Sequence, residues 1–222
     1  MKFFKYILLL AVLLNAQTIE FNNLEYKTVI SPVTGKVWLD RNLGASQVCQ
    51  SSSDGLCFGD YYQWGRKTNG HEKLSNEASS KKRLTNDLDK NGKYIVVKKS
   101  STFDWRIEQN DNLWKEESSK NNICPKGFRV PTQNELNIET IGATEPYTVK
   151  DNKSAYLNFL KIPSSGFRTL CLGDVVRQGR HGSLWSSSAY ERESFYLDFN
   201  PTEAVMTTGA RSEGLPVRCI KN

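Results

Sequence analysis

Gly182-Ser-Leu-Trp-Ser-Ser-Ser-Ala-Tyr-Glu-Arg-Glu-Ser-Phe-Tyr-Leu-Asp-Phe199, GSLWSSSAYERESFYLDF, is the stretch whose reading decides the fold. Three serines follow a tryptophan just after His181, which is how a hydrolase nucleophile can look. A nucleophile elbow, however, puts glycines on both sides of the serine at a sharp strand-to-helix turn. Here no such glycines flank Ser186–Ser188, and no third group marks a base. The second half of the stretch is more informative. Phe195, Leu197 and Phe199 alternate with Tyr196 and Asp198, the period of a half-buried strand. The serines therefore read as part of a sheet.

Further strands are expected on both sides of this stretch. Ser183–Ala189, Ser194–Phe199, Ala204–Thr208 and Leu215–Ile220 form a run of strand-like pieces separated by turn residues. Near the start, Ile19–Phe21 and Lys36–Asn42 read the same way. Between them lies one clear helix signal. Pro131-Thr-Gln-Asn-Glu135 carries Thr132 and Glu135 at capping-box spacing, so a helix of two to three turns should follow and end near Gly142. A second short helix is expected over Ser154–Leu160. Residues 66–122 are rich in Lys, Asn, Ser and Asp. They read as a long polar surface excursion with a hairpin inside it, around Tyr94–Val97.

The N-terminus has the form of an export signal: Lys2 and Lys5, an apolar run over Ile7–Leu14, then the small residue Ala16. The apolar run is far short of the ~20 residues that span a bilayer, and no later segment is a transmembrane candidate. The expected layout is a signal peptide over 1–16 and one domain over 17–222, exported to the periplasm, cell surface or medium. The 222-residue chain has 30 basic and 24 acidic residues, a net charge of +6. The two signs are interleaved, so no nucleic-acid footprint stands out.

Export makes disulfides the default reading of Cys49, Cys57, Cys124, Cys171 and Cys219. Cys49 and Cys57 flank a turn-rich loop. A bridge between Cys124 and Cys219 would tie the end of the chain to its middle, leaving Cys171 as a semi-buried thiol. The connectivity is open at this level.

Eight motifs in order resemble one family. They include Trp38-Leu-Asp-Arg-Asn-Leu-Gly-Ala45, Gly59-Asp-Tyr-Tyr-Gln-Trp-Gly-Arg66, Asp104-Trp-Arg106 and Leu113-Trp114. Cys124-Pro-Lys-Gly-Phe-Arg-Val-Pro-Thr132, Pro163-Ser-Ser-Gly-Phe-Arg168, Leu184-Trp-Ser-Ser-Ser188 and Gly214-Leu-Pro-Val-Arg-Cys219 complete the series. Together they resemble the Fibrobacter succinogenes major paralogous (FISUMP) domain. That family is similar to the C-type-lectin-like superfold, so the resemblance implies an α+β fold with two short helices around a small twisted antiparallel sheet. It also implies an exported setting, suits a Cys124–Cys219 bridge, and places Trp38, Trp64 and Trp185 in the core.

The calcium runs of sugar-binding lectins are not intact, since Glu145-Pro-Tyr147 stands where Glu-Pro-Asn would and Trp-Asn-Asp is missing. No cofactor is expected, with calcium left open. His71 lacks the second histidine of a zinc-protease helix. The expectation is a non-catalytic binding module for a surface glycan or protein partner, acting in adhesion. Its candidate ligand residues are Arg177, Arg180, His181, Tyr190, Arg192 and Arg211, chosen because Tyr and Arg anchor interfaces. The alternative is a structural envelope or matrix component without a specific ligand; an enzyme on a lectin-like fold ranks below both.

Overall fold

Strands dominate the architecture. The computed structural model describes residues 17–75, 79–80, 92–97 and 103–222, and the expected signal peptide over 1–16 lies outside them. In chain order the strands are β1 (Ile19–Phe21), β2 (Leu24–Tyr26), β3 (Thr28–Ile30), β4 (Val37–Leu39), β5 (Tyr62–Gln63), β6 (Ser79–Ser80), β7 (Tyr94–Ile95) and β8 (Phe128–Arg129). Helices α1 (Gln133–Glu139) and α2 (Asn152–Leu157) follow. The rest are β9 (Phe167–Arg168), β10 (Val175–Val176), β11 (Gly182–Tyr190), β12 (Glu193–Phe199), β13 (Ala204–Ala210), β14 (Gly214–Leu215) and β15 (Ile220–Lys221). Among the described residues the fold is mostly sheet, with two short α-helices.

The alternating stretch becomes the longest antiparallel pair, β11 with β12, and β13 extends it to a three-stranded sheet. The register explains the serines. Trp185 pairs with Tyr196 and Ala189 with Ser194, so Ser186–Ser188 oppose Phe195 alone and form a bulge. The bulge turns backbone and hydroxyl groups toward the start of α1. The Ser187 amide donates to the Pro131 carbonyl at 2.7 Å, and Ser188 Oγ accepts from the Gln133 amide at 2.9 Å. Ser186 Oγ donates to the Phe195 carbonyl at 2.8 Å. These serines join a sheet to a helix.

The capping box forms as expected: Thr132 Oγ1 accepts from the Glu135 amide, and the Glu135 carboxylate accepts from the Thr132 amide. Helix α1 stops at Glu139, one turn before Gly142. Helix α2 starts earlier than expected, because Asp151 and Ser154 form a reciprocal cap that makes Ser154 the third helical residue instead of the first. The stretch 215–220 splits into β14 and β15, which belong to different sheets. Pro216 has no amide to offer a ladder, and its carbonyl accepts instead from the Trp185 amide at 3.0 Å.

Sheet β3-β4-β15-β8 joins the N-terminal strands to the last one, and β10-β9-β14-β5 forms a second four-stranded sheet. Leu184, Leu197 and Phe199 pack into one core cluster with Trp38, Leu136 and Ile220. Trp185, on the opposite face, enters a second cluster with Trp64, Trp105, Trp114 and Val217. Strand β11 therefore has protein on both faces, whereas β12 buries Leu197 and Phe199 and leaves Tyr196 and Asp198 half-buried, as the alternation implied. All five tryptophans are buried. At ~150–250 Å² each, burying one contributes roughly 4–6 kcal/mol before conformational entropy is set against it.

The stretch 66–122 corrects the expectation of a surface excursion. Its described parts enter the core: Tyr94–Val97, Trp105 and Trp114 are buried, and Trp105 Nε1 donates to the Trp64 carbonyl at 2.7 Å. The polar residues deceive because arginines there stack on rings, such as Arg66 over Trp105 at 5.7 Å. Tyr94–Ile95 pairs in parallel with Ser79–Ser80 and not as a hairpin. Residues 76–78, 81–91 and 98–102 of this stretch lie outside the described residues.

Two disulfides are present, Cys49–Cys57 and Cys124–Cys219, with Cα separations of 5.0 and 6.0 Å. Cys171 is free and, contrary to expectation, exposed. It sits in the turn between β9 and β10 beside exposed Leu172, where no strand covers it. Among the described residues no helix is long and apolar enough to cross a membrane.

Candidate functional site

The six candidate ligand residues do not form one surface. Arg177, Arg180 and His181 precede β11, whereas Tyr190 and Arg192 lie at its far end. Nine residues of strand separate the groups by roughly 25 Å. Tyr190 is 51% exposed and leans on Phe195 with ring centroids 5.4 Å apart. Arg192 is exposed in the adjoining turn.

Arg211 is a correction. It is buried, its guanidinium lies 4.5 Å from the Trp64 ring, and it donates to the Asp111 carboxylate at 2.6 Å. It also donates to the carbonyls of Glu193, Glu191 and Asn110. A guanidinium so engaged locks the hairpin end to the 110–111 loop and has nothing left for a ligand.

At the other end, Arg177 and His181 line a cleft of about 160 Å³ with Phe167, Ser183, Tyr196, Asp198, Glu213 and Leu215. Local structure fixes each wall. The 177–181 turn is closed by the amides of Arg180 and His181, which both donate to the Arg177 carbonyl. It is pinned from outside by Gly179 to the Ser164 carbonyl at 2.7 Å and by Gly166 to the His181 carbonyl at 2.7 Å. Gly166, at φ +66°, permits that approach, since a Cβ there would stand 2.1 Å from the Val176 carbonyl oxygen. Tyr196 and Asp198 project from one face of β12, as the alternation required. Glu213 follows β13 in the turn before β14, its amide donating to the Ala210 carbonyl. Gly209 leaves the floor open: a Cβ there would meet Tyr196 Cε1 at 2.8 Å and Glu213 Oε2 at 3.3 Å.

The electrostatics of the cleft are unbalanced. Burial raises the Asp198 carboxyl above its usual range, although Ser183 Oγ donates to it at 3.1 Å and His181 and Arg177 lie near. Burial, helped by Asp198 and Glu193, pushes Glu213 up to about 7. Tyr196 is raised by burial and the same carboxylates. His181 is lowered by burial and by Arg177, so it is neutral at pH 7. The carboxylate of Glu213, the hydroxyl of Tyr196, the ring of His181 and the guanidinium of Arg177 make no hydrogen bond to any described residue. Arg177 only approaches the Phe167 ring, at 5.8 Å. Donors and acceptors with unused capacity thus converge over aromatic rings. Among the described residues no three His, Cys, Asp or Glu side chains are placed to hold a metal ion.

Of the residues expected from the sequence, Arg177 and His181 line this cleft, whereas Phe167, Tyr196, Asp198 and Glu213, which also line it, were not among them. The signal for two of these was present, since Tyr196 and Asp198 share the polar face of the alternating strand. His71, by contrast, is structural. It is buried, accepts from the Gln63 amide at 3.2 Å on Nε2 and shares the other ring nitrogen with Asn69 Oδ1 at 2.8 Å. Compared with protein-family models, curated proteins and solved structures, the chain finds no match in any of the three.

Proposed function

We propose that this chain is an exported, non-catalytic binding module on a C-type-lectin-like fold, which recognises a surface glycan in adhesion through the Arg177–Glu213 cleft. One observation carries the reading: unpaired donors and acceptors line a hollow walled by Phe167 and Tyr196. A polyhydroxylated ring offers donors and acceptors on its rim and C–H faces for an aromatic side chain, which matches that lining. The volume of about 160 Å³ lies well below the ~300–1,000 Å³ of drug-sized sites, so the cleft suits a single sugar residue. The leader-like N-terminus and two disulfides favour export. The lectin-like assignment rests on the family resemblance, and the sharing of one sheet by β3, β4 and β15 agrees with it.

A glycan array probed with the oxidised chain, with and without chelator, tests the proposal. Binding should survive chelation, vanish in Arg177→Ala/Asp198→Ala, and persist in Tyr190→Ala/Arg192→Ala. Loss in the second variant alone would move the seat to the far end of the hairpin. Silence across the array would refute the glycan reading.

A further inference from the structure

We infer that the Glu213 end of the cleft is a subsite for a protonated amine carried on the bound ring, so that the ligand is an unacetylated amino sugar. The inference rests on the glycan reading and deepens it.

The charged groups that shift the Glu213 carboxyl are both acidic, although Arg177 lines the same cleft. From β12, Asp198 and Glu193 act on its carboxyl. The side chains that feel Glu213 in return are Tyr196 of β12 and Tyr94 of β7, neither of them a cation. Arg177 and His181 act on Asp198, whereas the groups acting on Glu213 are Asp198 and Glu193. Among the described residues no cation lies within 4 Å of the Glu213 carboxylate and no donor hydrogen-bonds to it.

Other carboxylates have partners: buried Glu139 accepts from the Ser31 and Thr34 hydroxyls, and three more face cations. Glu135 has Arg129 at 2.7 Å, Asp60 has Lys73 at 2.6 Å, and Asp111 has Arg211 at 2.6 Å. Glu213 is half-buried, and a carboxylate held partly out of water without a partner is costly until an opposite charge is brought to it.

A metal ion is a poor occupant, because among the described residues no third His, Cys, Asp or Glu joins Asp198 and Glu213 in reach of one ion. A neutral hydroxyl would fill one lone pair and leave the field unchanged. An ammonium group supplies charge and up to three donors, and the Tyr196 ring beside Glu213 adds a cation–π face. The remaining hydroxyls of a sugar then reach Asp198, Arg177 and His181. Gly209 keeps this end open, since any side chain there would press on both Tyr196 and Glu213.

The test is calorimetric titration of the oxidised chain with D-glucosamine, N-acetyl-D-glucosamine and n-butylamine. At pH 7 glucosamine should bind at least about tenfold more tightly than its acetylated form. Its affinity should fall about fifteenfold at pH 5.5, where a carboxyl titrating near 7 has taken up its proton. Glu213→Gln should erase both the preference and its pH dependence, and at pH 7 it should melt no lower than the parent protein, since it removes a charge that the fold raises to about 7. Equal or tighter binding of N-acetyl-D-glucosamine, or an unchanged preference in Glu213→Gln, overturns the amine subsite and spares the glycan cleft. Binding of n-butylamine as tight as that of glucosamine overturns the sugar assignment. Silence from all three ligands overturns the cleft reading together with this one.

Discussion

Replacing Glu135 by Gln removes a charge whose contribution follows from its contacts. The Glu135 carboxylate accepts from both terminal nitrogens of Arg129 at 2.7 Å, from the Thr132 amide at 2.9 Å and from Thr132 Oγ1 at 3.0 Å. The side chain is 14% exposed, so solvent screens these bonds only in part. Burial by itself would raise the carboxyl; the Arg129 fork and the Thr132 amide outweigh it and hold it at about 2, against 4.5.

A depressed carboxyl stabilises the fold above its unfolded value and loses that contribution as pH falls through the folded one. The full difference is about 3 kcal/mol at pH 7 and has shrunk to about 1 kcal/mol at pH 3. Gln imitates the protonated acid: it can still cap the helix but cannot receive the guanidinium fork as a charge. Urea unfolding of both proteins should therefore give a gap of about 3 kcal/mol at pH 7 that closes to about 1 kcal/mol at pH 3. A gap below about 0.5 kcal/mol at pH 7, or one that does not change with pH, would refute the reasoning.

Removing the Cys124–Cys219 bridge in the double Ala variant opens a loop of 95 residues and should cost on the order of 4–5 kcal/mol, read as the shift in the urea midpoint. Removing Cys49–Cys57, whose separation is 8, should cost less, and the opposite order would contradict the chain-entropy account. His71 is lowered by its burial, with Arg66 and Arg168 adding to the effect. It should stay neutral, with its proton on Nδ1, well below pH 6.5, and ¹⁵N NMR of the ring would detect any protonation above pH 6. The fold's stability should accordingly decline as pH drops below 6.5, where the unfolded histidine gains a proton that the folded one refuses.

The parts of this fold that were legible in the sequence are those written in a few adjacent residues. Alternation over Phe195–Phe199 gave the strand and the side each residue faces. Thr132 and Glu135 gave a helix start, because each satisfies the other's amide within one turn. The start of α2 is set by a similar local signal, the reciprocal Asp151–Ser154 cap, which places it two residues before Ser154. Illegible were the outcomes set by distant partners. Arg211 looks like a surface ligand until Trp64 and Asp111 close on it from far along the chain. The residues 66–122 look solvated until Trp105 and Trp114 are seen inside the second cluster.

The cleft shows the same division. By itself the sequence determined that Tyr196 and Asp198 share one face of a strand, since successive side chains of a strand must point to opposite sides. Only the tertiary structure decided that Phe167, the 177–181 turn and Glu213 would surround that face and leave a carboxylate there without a counter-charge. Periodicity is a property of neighbouring residues, whereas burial and the field at a buried charge are sums over everything the folded chain brings near.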